Sequence, residues 1–354
     1  MSLSRRLFIK AVLAGGATQL LSACGLSKTT PTKTNSFVKS SPSLTPTSPM
    51  SSDQDPILFV VGDLVSERSI DRAEKVVRLI QTLMAEHAGR QMLVISVGDN
   101  EQGEAPTLLD YQTSFENTYG IFVKQGIFRP VRGNHDLLDA GHGQAYAEYF
   151  KAATHFDEIP IANGEMNYNY SFDLGDWHIV GVDQVDSTLN PAGLAFLKSD
   201  LTMHSRSKYK LVYWHAPTYC SSLLIHDALS LIPFNEAAYQ AGVDIQINGH
   251  THVYQRFHPI NPFGERDDKY GITTFIAGIG GENGDYGFKP SRAQAASAIF
   301  KNTFSGGDGN HVIGVLMLTL HAGSADFAAY NANNGLIFDE GVVYCHHKTG
   351  RAAI

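Results

Sequence analysis

Five apolar runs in this chain each end in a short polar cluster, and that punctuation constrains the fold more than any other feature. Ile57 to Val61 leads into Gly62-Asp63, and Met92 to Val97 into Gly98-Asp99-Asn100. Phe128 to Val131 leads towards Gly133-Asn134-His135-Asp136, and Leu211 to Trp214 into His215-Ala216-Pro217. Val243 to Ile247 leads into Gly249-His250-Thr251-His252. Short continuous apolar runs read as buried strands. The polar residues therefore fall at strand C-terminal ends, where open α/β sheets gather their ligands.

Between the runs, helical spacing recurs. Ile70, Ala73, Val76, Val77, Ile80, Leu83 and Met84 trace one face of a helix that Gly89 ends, which makes the first two strands a parallel βαβ unit. Further helices are predicted over 106–119, 142–150 and 191–201, the last opened by Pro191. From Asn167 to Val182, alternating aromatic and aliphatic residues around Gly175-Asp176 read as a hairpin, so the sheet becomes mixed. The C-terminal part is predicted mostly β, with strands over 273–277, 312–320 and 325–330 between Gly-rich loops. The fold class is α/β.

With 354 residues, 43% of them hydrophobic, the chain supplies one large domain, expected over 57–354. The formal charge of -8 becomes more negative once residues 1–23, carrying Arg5, Arg6 and Lys10 and no acid, are removed. Such a body repels nucleic acid, so no nucleic-acid partner is expected. Arg5-Arg6 followed by an uncharged apolar stretch to Ala23 reads as a twin-arginine export signal, too short to span a bilayer. Leu21-Ser22-Ala23-Cys24 resembles a bacterial lipobox, which makes Cys24 the lipidated first residue of the mature protein and its only link to a membrane. Residues 24–56, rich in Ser, Thr and Pro, read as an extended tether that holds the domain off the periplasmic or outer face. Cys220 and Cys345 then remain, either as a disulfide or as two buried thiols.

The polar clusters hold Asp, Asn and His without thiolates. A pair of cations about 4 Å apart needs a bridging carboxylate, neutral nitrogen or oxygen donors on both sides and open positions for water and substrate. Singly, Gly62-Asp63 is an ordinary strand-end turn and a lone His an ordinary core residue. Five in order supply a complete dinuclear set, suited to Fe, Mn or Zn. The glycine before Asp63, Asp99, Asn134 and His250 reads as the residue that lets the chain turn sharply.

In this order the motifs resemble the calcineurin-like metallophosphoesterase superfamily over roughly residues 57–345. Tyr170-Ser171-Phe172-Asp173, His215-Ala216-Pro217 and His250-Thr251-His252-Val253-Tyr254-Gln255-Arg256 resemble its purple acid phosphatase branch. The resemblance implies a sandwich of two mixed β-sheets flanked by helices. It also implies Asp99 as bridge, Asp63 and His252 on one metal, and Asn134, His215 and His250 on the other, with two divalent or trivalent ions as cofactors. His135 then contacts phosphate and Asp136 orients it. In-line attack by a metal-bound hydroxide follows, with His135 and the metals neutralising the phosphoryl oxygens. His226 is the candidate general acid for the leaving group, or else a surface-loop histidine; Tyr219 lines the pocket or merely walls it.

Two positions depart from the family pattern. Val65 stands where many relatives have a His ligand, and Gln102 where purple acid phosphatases have a Tyr. Gln102, Glu101 and Glu104 are the substitute ligands to consider. The expected function is an exported phosphatase acting on small phosphomonoesters, working as a monomer. A phosphodiesterase or nucleotidase with the same centre is the alternative, and a non-catalytic surface lipoprotein is the reading from another class.

Overall fold

A computed structural model of the chain describes residues 54–152, 161–162, 165–166, 168–205, 209–221, 227–282, 298–302 and 312–346. The chain divides into two units, Met1–Thr47 and Ser48–Ile354, and every described element belongs to the second. The export signal, Cys24 and His226 lie outside the described residues.

Two mixed sheets form the body. In the first, β1 (Ile57–Val61), β2 (Met92–Ser96) and β3 (Phe128–Pro130) run parallel. The antiparallel strands β13 (Gly314–His321), β14 (Ser324–Asn331) and β15 (Ile337–Tyr344) extend it beyond β1. A small pair, β4 (Ile161–Ala162) and β5 (Glu165–Met166), stands apart. The second sheet is seven-stranded. Its parallel centre is β7 (Trp177–Gly181), β8 (Tyr209–Tyr213), β9 (Ile245–Asn248) and β11 (Thr273–Ala277). Antiparallel strands flank it: β6 (Tyr170–Leu174) on one side, β10 (Tyr254–Phe257) and β12 (Ala298–Asn302) on the other.

Alternation along the strands explains the layers. Ile179, Leu211 and Tyr213 join an apolar cluster with Phe59, Ile95 and Val315 of the first sheet, while their neighbours Val180, Val212 and Trp214 join a second cluster. Successive side chains point to opposite faces, so a strand buried on both sides must be apolar at every position. The second cluster is completed by Leu197 and Leu201 of a helix over Pro191–Met203 and by Phe234 and Ala238 of another over Ile232–Gln240. Each fully buried Val, Leu or Phe contributes about 1.5–3 kcal/mol of transfer free energy. On the first sheet, the helix over Ile70–Glu86 buries Ala73, Val76, Val77, Ile80 and Leu83, the predicted stripe, and packs against β13.

The helix predicted over 106–119 is broken. Thr107 caps a single turn at Leu108–Asp110, a π-helical turn follows over Tyr111–Phe115, and a separate short helix covers Gly120–Lys124. The wider π turn leaves Tyr111, Ser114 and Phe115 buried together, with Tyr111 and Phe115 against Tyr149 and Phe150 of the helix over Gln144–Ala152. That helix starts later than the predicted His142 because His142 and Gly143 both have positive φ, at 51° and 98°. Strands β10 and β15 escaped prediction for a physical reason. β10 is half polar, β15 is interrupted by Asp339-Glu340-Gly341, and the Arg256 guanidinium of β10 is held bidentately by Asp339 of β15 at 2.7 and 2.8 Å. Cys220 and Cys345 are not joined in a disulfide; Cys220 is buried with Tyr219, Phe257 and Ile276, and Cys345 is half-buried. No helix among the described residues is long and apolar enough to cross a membrane.

Candidate metal centre

Hydrogen bonding carries the parallel ladder past the strand ends and so sets the site. Val97 N–H donates to Val61 O, Asp63 N–H to Gly98 O and Leu64 N–H to Asp99 O, at 2.8 to 3.0 Å. Asp63 and Asp99 are thereby laid side by side. In the second sheet, Trp214 N–H donates to Ile247 O and Gly249 N–H to His215 O, which pairs the two histidine loops. The sheets meet where Asp63 Oδ2 accepts His250 N–H at 3.0 Å, and within the first sheet Asp99 Oδ1 accepts His135 N–H at 2.8 Å.

Two donor groups result, and Asp99 belongs to both. Asp99, His215 and His250 bring one ligand atom each within 4.8 Å of one another, and so do Asp63, Asp99 and His252. The His215 Nδ1–H donates to the Val97 carbonyl at 2.8 Å, which turns Nε2 to within 3.2 Å of Asp99 Oδ2 and 3.1 Å of Asn134 Oδ1. His252 Nε2 stands 3.3 Å from Asp63 Oδ1. Carboxylate oxygen and imidazole nitrogen without sulfur is a donor set for Fe, Mn or Zn.

Backbone conformation at the loops differs from the sequence reading. Of Gly62, Gly98, Gly133 and Gly249, only Gly98 has a positive φ, at 101°, whereas Asp63, Asp99 and His250 themselves stand at 57°, 53° and 70°. The left-handed turns are therefore made by the ligand residues. Gly133 serves close approach instead: a Cβ there would lie 2.1 Å from Asp99 Oδ1.

Charge at the centre is arranged around Asp99. Burial opposes its ionisation, but His215 in ion-pair contact, with His135 and His250 nearby, holds it well below the usual carboxylate range. Burial likewise opposes charge on His215, yet Asp99 pushes its value up to about 9, while burial and the His215 charge push His250 down to about 4. Without metal, the His215 proton occupies the place where a cation would compensate Asp99. Cation uptake by metal-free protein near neutral pH therefore releases protons, and affinity rises with pH until His215 has lost its proton near 9. Calorimetry in two buffers of different ionisation enthalpy will show unequal apparent heats; equal heats would contradict the proton competition.

Asp136 is placed differently from the sequence reading. Its carboxylate is buried and accepts the N–H groups of Asn100 and Gly133, the Asn100 side-chain amide and the Tyr111 hydroxyl. It fastens the second and third loops together. The His135 ring is met instead by the Gly103 carbonyl, 3.2 Å from Nδ1, and His135 belongs to neither donor group. Tyr111, Asn100, Val97 and Gly103 were missed as supports. Two act through main-chain carbonyls, which carry no residue signature, and Tyr111 reads as an ordinary core aromatic.

At the Asp63–Asp99–His252 group, Val65 is packed in the core and bridged to Glu101. The Glu101 carboxyl, pushed up to about 7 by burial, accepts Gly103 N–H at 2.7 Å, and Glu104 is exposed. Gln102 alone of the three substitutes reaches inward, its amide Nε2 being 3.1 Å from Asp99 Oδ2 and 3.4 Å from Asp63 Oδ1. A half-turn of the amide presents its oxygen to the same space. Gln102→Ala is expected to weaken cation retention at this group ~10-fold and leave the other unchanged, read by metal analysis after dialysis.

Two buried donor groups at the strand ends of a two-sheet α/β sandwich are the arrangement of a metallophosphoesterase-like fold. The family model for calcineurin-like phosphoesterases matches residues 56–254, and the chain belongs to that family. Purple acid phosphatase 23 of Arabidopsis thaliana is 28% identical over 137 residues, a match that takes in 37% of this chain and only 29% of that protein. Among solved structures, purple acid phosphatase PPD1 from yellow lupin (Lupinus luteus) seeds superposes with a TM-score of 0.59 at 17% identity, over 84% of this chain and 55% of the lupin chain. GAP50, the anchor in the inner membrane complex of Plasmodium, gives 0.59 at 15% identity over 84% of this chain and 90% of its own. A dimetal phosphatase from Danio rerio gives 0.53 at 11% identity, over 82% and 99%. At these identities the likeness is one of fold.

Proposed function

We propose that this protein hydrolyses small phosphomonoesters at a dinuclear centre bridged by Asp99. The observation that carries the reading is that Asp99 is shared by two donor groups, Asp63 with His252 and His215 with His250. Asn134, 3.1 Å from His215, completes the second group, and Gln102 stands beside the first. When bound, a pair of Fe, Mn or Zn ions supplies an acidified water as nucleophile and neutralises phosphate charge. The chain's own residues do the rest. His215 is fixed in one tautomer by Val97, His135 holds the phosphoryl oxygens through its ring, and Asp136 keeps the two loops that carry Asp99 and His135 in register. The leaving alkoxide takes its proton from His226.

Parallel assays of an aryl phosphate and a bis-aryl phosphate, with and without a chelator, test the reading. Hydrolysis of the monoester that chelation abolishes is the expected result. A faster diester reaction makes the protein a phosphodiesterase, and activity that survives metal removal rejects the dinuclear mechanism. His226→Ala is expected to impair sugar phosphates far more than aryl phosphates, because a poor leaving group depends on the general acid. Equal losses would remove His226 from that role.

We also propose export by the twin-arginine route and lipid anchoring at Cys24, supported by Arg5-Arg6 and the lipobox-like Leu21-Ser22-Ala23-Cys24. The Cys24→Ala protein is expected in the soluble fraction, and an unmodified full-length N-terminus on the wild-type protein rejects the assignment.

A further inference from the structure

A second cluster of metal-binding side chains lies at the opposite end of the second sheet. His178 is the second residue of β7 and pairs in register with Lys210 at the start of β8. His215 follows the far end of β8, five residues on, which at ~3.3 Å per residue puts the two clusters on the order of 16 Å apart. Asp200 projects from the last turn of the Pro191–Met203 helix and His204 caps that helix. One donor atom from each of His178, Asp200 and His204 lies within 4.8 Å of the others.

We propose that His178, Asp200 and His204 form a separate site for a single zinc or similar borderline divalent cation, with water as the fourth ligand. The site has the parts that such a centre needs. Asp200 and His204 are four residues apart on one helix, a spacing that puts two side chains on one face, and β7 supplies the third donor from a rigid neighbour. His178 Nε2 faces Asp200 Oδ1 at 2.7 Å, while its Nδ1 is bonded to Asp173 at 2.8 Å. A carboxylate behind a ligating imidazole is the arrangement that fixes tautomer and ring orientation at zinc sites. The second oxygen of Asp200 accepts the Ser171 hydroxyl at 2.6 Å, so that ligand is also held from behind.

Ligation needs the His204 ring to turn out of its present stack on His178. Zinc bonds of about 2.0–2.1 Å put neighbouring tetrahedral donors ~3.3 Å apart. At present His178 Nε2 lies 2.7 Å from Asp200 Oδ1 and His204 Nδ1 3.6 Å from Asp200 Oδ2, the two imidazoles facing different oxygens of the one carboxylate. His204 is free to move: its side chain is 39% exposed, which also gives the ion a path in. The Asp200 carbonyl that its ring touches at 3.0 Å already accepts the His204 main-chain N–H at 2.9 Å, so releasing the ring orphans nothing.

A charged imidazole clamped between two carboxylates is the competing account of His178. Burial opposes that charge, but the bonds to Asp200 and Asp173 outweigh it and raise the His178 value. In that account His204 is simply stacked on His178, with centroids 3.9 Å apart and planes at 23°. A bound ion would draw the half-exposed His204 ring off the stack and onto the Asp200 side of His178.

Full-length protein stripped of metal, reloaded with Zn²⁺ alone and passed through a desalting column decides the matter by elemental analysis. His204→Ala is expected to hold about one zinc equivalent fewer than its parent. The same deficit is expected when both carry Asp99→Asn, which empties the catalytic centre. Asp173→Asn, at an exposed position, is expected to lower the affinity of this equivalent ~10-fold. Because the readout is stoichiometry, it stands whether or not the protein proves to hydrolyse phosphomonoesters. Equal zinc content with and without His204 in both backgrounds overturns the site and leaves the clamped imidazolium.

Discussion

Asp99→Asn is expected to lower aryl phosphate hydrolysis by about a thousandfold or more and to leave the purified protein short of the cations at both donor groups. A thousandfold corresponds to about 4 kcal/mol of lost transition-state stabilisation. The cause is electrostatic and local. Asp99 is the only residue common to the two donor groups, and an amide there leaves two neighbouring cations without the anion that both need. The isosteric amide retains an oxygen for His135 N–H, so the loop keeps its main tie and a folding defect is not the source of the loss. Elemental analysis beside circular dichroism checks both parts. Normal metal content in folded Asp99→Asn protein would remove Asp99 from its bridging role.

His135→Ala is expected to lower kcat by about a hundredfold while metal content stays near that of the wild type. The separation of the two readouts is the substance of the prediction. His135 touches Asp99 only through its main-chain N–H, which alanine preserves, and its ring stands outside both donor groups. What is lost is a positioned donor to phosphate charge that develops in the transition state. A parallel fall in metal content would make His135 a ligand or a scaffold for one.

The motif residues were legible in the sequence because strand-end position and residue type are both visible there. The apolar alternation of β7 and β8, and the stripe from Ala73 to Leu83, likewise announce which faces are buried. What escaped was held by tertiary contacts. Strands β10 and β15 depend on Arg256 meeting Asp339 across 83 residues of sequence, and no local pattern announces that pair. The broken helix after Pro106 follows an aromatic cluster assembled from three segments. The motif spacing suggests Asp136 as the group that orients the His135 ring, but its carboxylate is engaged elsewhere. Sequence adjacency suggested contact, whereas the short 3₁₀ turn over His135–Leu137 sends the carboxylate down to Asn100, Gly133 and Tyr111.

The left-handed backbone at Asp63, Asp99 and His250 sets a limit on how this protein can be improved. Residues other than glycine held in that region cost of order 1–3 kcal/mol each, less for Asp than for His. A directed-evolution campaign scored on thermal resistance alone would thus be drawn to glycine at the three positions where it erases the chemistry. Selection for heat tolerance and selection for turnover pull in opposite directions at these positions, so any library meant to harden the enzyme should keep them fixed.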